Sequence, residues 1–80
     1  MVRVEVRLYA NLRRYVPQLG LGEAMKLELY EGATLRHTFT RLGLPESEVK
    51  RVIVNGRSKK YEYVLLDRDR VAIFPPVAGG

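Results

Sequence analysis

Cysteine is absent from this chain of 80 residues. Its absence excludes disulfides, thiolate metal ligands and a cysteine nucleophile, so any sulfur chemistry must use sulfur brought from outside. Histidine occurs once, at His37, and with no thiolate or second histidine to share a metal it is expected on a helix surface. No apolar run approaches the roughly 18 residues of a membrane span, and the opening MVRVEVRLYA alternates instead of forming a signal-peptide core, so a cytoplasmic protein is expected. No glycine cluster forms a phosphate loop, and Ser47 and Ser58 lack a histidine base within a recognisable motif. Asp67 and Asp69 have no companions at metal-ligand spacing and are expected to shape a turn. The chain is therefore expected not to act as an enzyme by itself.

A dense basic stripe is also missing. The 14 Lys and Arg outnumber nine acids, for a net charge of +5, which biases the surface toward acidic partners. Basic residues never run longer than a pair, as at Arg13-Arg14 and Lys59-Lys60, whereas nucleic-acid modules usually interleave a denser stripe with aromatics. Tyr9, Tyr30, Tyr61 and Tyr63 fall in or beside expected strands, where tyrosine is enriched. A nucleic-acid partner is not expected. The length allows one domain with a single modest core.

What is present is a short series of elements. Val2, Val4, Val6 and Leu8 alternate with Arg3, Glu5 and Arg7, the pattern of a strand with one buried face. Ala10 to Val16 reads as a helical turn or short helix ended by Pro17. Met25, Leu27 and Leu29 define a second strand, paired with the first as a wide hairpin. Thr34 suits a helix N-cap; Leu35, Phe39 and Leu42 form an apolar stripe, and Gly43 closes the helix. Pro45 to Glu48 is a turn or short second helix. Val52 to Val54 is a strand, Asn55-Gly56 its turn, and Tyr61 to Leu65 a short edge strand. Asp67-Arg68-Asp69 turns the chain into a final strand, Val71 to Phe74, ended by Pro75-Pro76. The order ββαβ(β)β, with one main helix, predicts an α+β fold, a mixed sheet crossed by that helix: the β-grasp architecture, with a small open barrel as runner-up.

The domain is expected over residues 1–74 and an extended tail over 75–80. Pro75-Pro76-Val77-Ala78-Gly79-Gly80 contains nothing large enough to pack back on a core. The prolines favour an extended start, and six residues at roughly 3.3 Å each reach about 20 Å. A terminal Gly79-Gly80 lacks Cβ atoms, so it can thread a narrow tunnel and bring its carboxylate against a phosphorus atom or a nucleophile. With glycine near 7% of residues, such a pair ends only about 0.5% of chains by chance. Alternation in the final strand puts Val71 and Ile73 on the helix side and Ala72 and Phe74 on the other, making Phe74 a candidate partner-facing anchor.

The segment VAIFPPVAGG, Val71 to Gly80, resembles the C-terminal signature of the molybdopterin synthase small subunits, within the ubiquitin-like sulfur carriers. The likeness extends in order through LYANLRR (Leu8 to Arg14), EGATLRHTF (Glu31 to Phe39), the VNG turn (Val54 to Gly56) and LLDRDRV (Leu65 to Val71). It implies a ubiquitin-like β-grasp fold and a chain that binds no cofactor. A ubiquitin-activating-enzyme-like adenylyltransferase would use ATP to convert the Gly80 carboxylate to an acyl-adenylate. A sulfur-donating enzyme would supply the sulfur that displaces AMP. The thiocarboxylate would then serve the molybdopterin synthase large subunit, with Phe74, Pro75, Pro76, Val77, Ala78 and Gly79 as partner-binding residues. Three departures are visible, one being that the helix region from Thr34 to Gly43 is short for the family. Arg68 stands where the family commonly has glycine between two aspartates, so it is expected in a left-handed conformation. The net positive charge contrasts with the usually acidic carriers and bears on partner choice.

Three other readings remain open at this point. The thiamin thiazole sulfur carriers share the Gly-Gly end, though FPPV favours molybdopterin. Ubiquitin-like modifiers join the same activated carboxylate to lysine amines, which conjugates in cell extracts would reveal. An RNA-binding β-grasp module rests on basic charge alone and would show steep salt dependence.

Overall fold

Five strands and one α-helix follow from the alternating and helical patterns in the computed structural model, which describes residues 1–20 and 22–76. The tail positions Val77, Ala78, Gly79 and Gly80 lie outside the described residues, as does Leu21. Strand β1 (Val2–Leu8) buries Val2, Val4, Val6 and Leu8 on one face. It pairs antiparallel with β2 (Met25–Leu29), Val4 opposite Leu27. Between them Ala10–Tyr15 forms a 3-10 segment that buries Leu12.

Helix α1 (Leu35–Leu42) begins where the sequence places its cap: the Thr34 backbone N–H donates to Nδ1 of His37 at 2.9 Å. His37 is thus an exposed residue that serves the helix start, a role its spacing from Thr34 allows but composition does not reveal. Gly43 ends the helix at φ 71°, and Leu44 N–H closes on the Phe39 carbonyl at 2.8 Å, the glycine-dependent stop that left-handed geometry requires. Leu35 and Phe39 are almost wholly buried against the valines of β1 and the rest of the core. The phenylalanine meets Tyr61 edge-on, centroids 5.1 Å apart, an arrangement favoured by the ring quadrupoles.

Glu46–Glu48 is a second 3-10 segment, followed by β3 (Arg51–Val54). The expected edge strand Tyr61–Leu65 does not form. The fourth strand is β4 (Arg57–Ser58), paired antiparallel with β3, while Val64 makes only a single bridge to Thr34. Asn55 and Gly56, at φ 51° and 84°, return the chain at once to the sheet, as a tight two-residue hairpin with both central residues left-handed does. The tyrosine segment is then used elsewhere. The carbonyls of Tyr63 and Tyr61 accept the backbone N–H groups of Leu35 and Arg36, which have no partner inside the helix.

Strand β5 (Arg70–Phe74) inserts between β1 and β3, parallel to β1 and antiparallel to β3. The sheet order is β2-β1-β5-β3-β4: a mixed five-stranded sheet with one main helix on its valine face, the ubiquitin-like β-grasp.

Candidate functional site

The C-terminal end of β5 is fixed on three sides. The Ile73 carbonyl accepts the Tyr9 N–H at 3.1 Å, and the Phe74 carbonyl accepts the Lys50 N–H at 2.9 Å. The third contact is aromatic, for the Phe74 ring stacks on Tyr9 with centroids 4.6 Å apart and planes 8° from parallel. As alternation requires, Val71 and Ile73 are buried, while Ala72 and Phe74 lie half-buried on the other face. Phe74 is therefore a shared aromatic ledge with Tyr9 and not a lone exposed ring. Tyr9 keeps the parity of Arg7 along the chain, and this was the available signal that it belongs to the helix-free face. Pro75 is half-buried and Pro76 exposed. The remaining predicted site positions, Val77, Ala78, Gly79 and Gly80, lie outside the described residues.

Beside this ledge runs a shallow groove of about 220 Å³. Ile53 and Ala72, paired across the strands, form its floor, with Arg7, Tyr9, Arg70 and Asn55 around them. Arg7 pairs with Ala72 and Arg51 with Phe74. No carboxylate lines this groove, and Arg7, Arg51 and Arg70 have no ion-pair partner among the described residues. The face adjoining the end of β5 is thus a small apolar floor with a cationic rim. Composition gives the sign of the charge. Only the register shows that three arginines gather here.

The head of β5 is set by Asp69, which is 3% exposed. Its carboxylate accepts Asn55 Nδ2 at 2.8 Å, the Tyr63 hydroxyl at 2.9 Å and the Leu66 N–H at 2.8 Å. Asn55 Oδ1 in turn accepts the Arg70 N–H at 2.9 Å. Burial, and then the bond to Asp69, pushes the Tyr63 hydroxyl above its ordinary pKa. Asp67 accepts the Arg3 N–H at 2.8 Å, so both aspartates shape the turn as expected. Among the described residues no group of three or more His, Asp or Glu could hold a metal ion, and no helix is long and apolar enough to cross a membrane.

These features define the protein as a ubiquitin-like β-grasp protein with the last strand central in its sheet. Residues 1–79 match the family described as Mut7-C ubiquitin, and the chain belongs to that family. A solved structure described as molybdopterin converting factor, subunit 1, from Pyrococcus furiosus is 27% identical, with a TM-score of 0.74 over 96% of this chain and 100% of that one. The solution structure of the Haloferax volcanii HVO 2177 protein is 28% identical, with a TM-score of 0.75 over 99% of this chain and 87% of that one. The small archaeal modifier protein 1 of Haloferax volcanii, 18% identical with a TM-score of 0.75 over 96% of this chain and 100% of that one, shares the fold. No curated protein matches the chain.

Proposed function

We propose that this protein is a sulfur carrier whose Gly80 carboxylate is activated by an adenylyltransferase and serves, as a thiocarboxylate, in molybdopterin synthesis. The carrying observation is the fixed end of β5. Ile73 accepts from Tyr9, Phe74 accepts from Lys50, pairs with Arg51 and stacks on Tyr9, and in the sequence two prolines and then only small side chains follow it. Family membership and the 27% identity to the Pyrococcus furiosus protein support the same reading.

In the chemistry proposed, a carboxylate oxygen of Gly80 attacks the α-phosphorus of ATP, and pyrophosphate leaves with the displaced electron pair. A hydrosulfide equivalent from the sulfur-donating enzyme then attacks the acyl carbon, AMP departs, and the thiol proton is lost to give the thiocarboxylate. Glycine at both terminal positions admits the tip where a side chain would clash. The groove of Arg7, Ile53, Arg70 and Ala72 is the face assigned to the activating partner, whose surface there should be acidic around an apolar centre. The molybdopterin synthase large subunit would receive the loaded tail, and catalytic groups would belong to these partners. A second reading, attachment of the same acyl group to lysine amines, shares the activation step and diverges after it.

The test incubates the protein with ATP, a sulfur source and a competent activating enzyme. The expected results are AMP release and the mass gain of one oxygen-to-sulfur exchange, both lost on deleting Gly80 or adding one alanine after it, and impaired by Gly79→Val. Normal activation of the extended chain would sink the carrier reading. Isopeptide-linked conjugates in place of the thiocarboxylate would establish the second.

A further inference from the structure

The chain has two asparagines, Asn11 followed by Leu12 and Asn55 followed by Gly56. Asparagine is thermolabile because the main-chain nitrogen of the next residue can attack its side-chain carbonyl carbon and close a five-membered ring. Glycine hinders this attack least, having no Cβ beside its nitrogen. Asn55-Gly56 is therefore the pair most open to the reaction, and Asn11-Leu12 is an internal control.

In the folded chain the same amide is held toward β5. The Asn55 N–H donates to the Arg70 carbonyl at 2.9 Å, and Asn55 Oδ1 accepts the Arg70 N–H at 2.9 Å. Its Nδ2 donates to Oδ1 of Asp69 at 2.8 Å. Both polar atoms of the amide thus face the head of β5, while the turn fixes Asn55 and Gly56 at φ 51° and 84°. Ring closure needs the amide to swing back over its own main chain. That movement breaks both side-chain bonds and takes from the buried Asp69 one of the donors it shares with Tyr63 and Leu66. The open geometry is accordingly rare while β5 stays docked.

We propose that Asn55-Gly56 is a self-modification site silenced by folding, at which a chain whose β5 head has opened deamidates and so keeps a permanent mark of having been open. In the first step the Gly56 nitrogen bonds to Cγ of Asn55 as the Cγ–Nδ2 bond breaks, and the Gly56 N–H proton leaves with Nδ2 as ammonia. Water then opens the cyclic imide at either carbonyl. The products are aspartate and, where the main chain is rerouted through the side chain, isoaspartate. Aspartate puts a carboxylate oxygen where Nδ2 stood, against the carboxylate of Asp69, which is 3% exposed. Like charges at so short a distance repel, and burial leaves them poorly screened. Isoaspartate adds a methylene to the main chain inside a turn where Val54 pairs directly with Arg57, which disturbs the register of β3 and β4. Neither product lets the head of β5 close as before. The site lies at the opposite end of β5 from Phe74, so its test is separate from that of the carrier reading.

The test holds the full chain at mildly alkaline pH, with and without a denaturing concentration of guanidinium, and follows the amide-to-acid mass gain on peptides carrying Asn55 and Asn11. Asn55 should deamidate in the unfolded sample, with isoaspartate among the products, and at least about tenfold more slowly in the folded one. Asn11 should lag behind Asn55 in the unfolded sample. Asn55→Asp, which reproduces one product, should lower the melting temperature by about 5 °C or more. Equal rates at Asn55 in the folded and unfolded samples would overturn the proposal, as would equal rates at Asn55 and Asn11 in the unfolded one. So would an Asn55→Asp variant that melts with the wild type.

Discussion

Asp69 shows how one side chain sets the position of a strand. It is one of two polar side chains buried among the described residues, and its carboxylate joins the Asn55 turn, Tyr63 and Leu66 at the head of β5. Burial and the bond to Asp69 raise the Tyr63 hydroxyl above its ordinary pKa, and burial raises Tyr61 likewise. A group with a raised folded-state pKa stabilises fully below its unfolded value, about 10 for tyrosine, and that contribution is lost as pH rises through the folded value. Stability should therefore fall above about pH 10, and Tyr63→Phe should flatten the fall while lowering neutral-pH stability by about 1 kcal/mol. Urea melts across the alkaline range would measure both, and an unchanged slope in Tyr63→Phe would reject the assignment. The residue just before Asp69 is Arg68, which takes φ 71°, the left-handed conformation its place between two aspartates implied. Arg68→Gly should stabilise the fold by about 0.5 to 1 kcal/mol, read from the same melts, and an unmoved midpoint would reject the left-handed strain as a cost to the fold.

At the level of elements, the Tyr9 and Phe74 pair is the feature that fixes the end of β5. Phe74→Ala removes a half-buried ring and its stacking partner's support. The expected cost is about 1 to 2 kcal/mol of stability, together with, on the proposed function, a larger loss of binding to the molybdopterin synthase large subunit. Calorimetric melts and binding titrations on one sample separate the two, and a stability loss with unchanged binding would return Phe74 to a purely structural role. The helix and the strands β1, β2, β3 and β5 are legible because Val2 to Leu8, Met25 to Leu29 and Val71 to Phe74 carry period-2 burial, and Thr34 and Gly43 mark the helix ends. The tyrosine segment misleads because Tyr61 and Tyr63 suit a strand by propensity. Propensity does not register that their carbonyls complete the start of α1 and that Asn55-Gly56 has already supplied the edge strand. Within the site, alternation separates Phe74 from Ile73, but the stack with Tyr9 joins residues 65 positions apart, and no local pattern carries that.

For the whole molecule, the asymmetry of charge matters most. Arg7 and Arg70 border the groove on the helix-free face of the sheet, and Arg51 pairs with Phe74 beside it. Docking on the activating enzyme should weaken with ionic strength, since exposed charges are screened within about 10 Å at 0.1 M salt. Arg7→Glu with Arg70→Glu should slow AMP release by about tenfold or more at low salt while the melting temperature holds. Equal rates for this double variant and wild type would remove the groove from the docking surface. The same architecture bears on biosynthesis. The middle of the sheet is formed by β1 and β5, the first and last strands to be made, so the nascent chain cannot close its core until residues 70–74 have been synthesised. Long-range pairing of this kind is acquired late. A damaged or unfinished copy then has no fixed ledge at the end of β5, and on the carrier reading proposed above folding itself would be the inspection passed before loading.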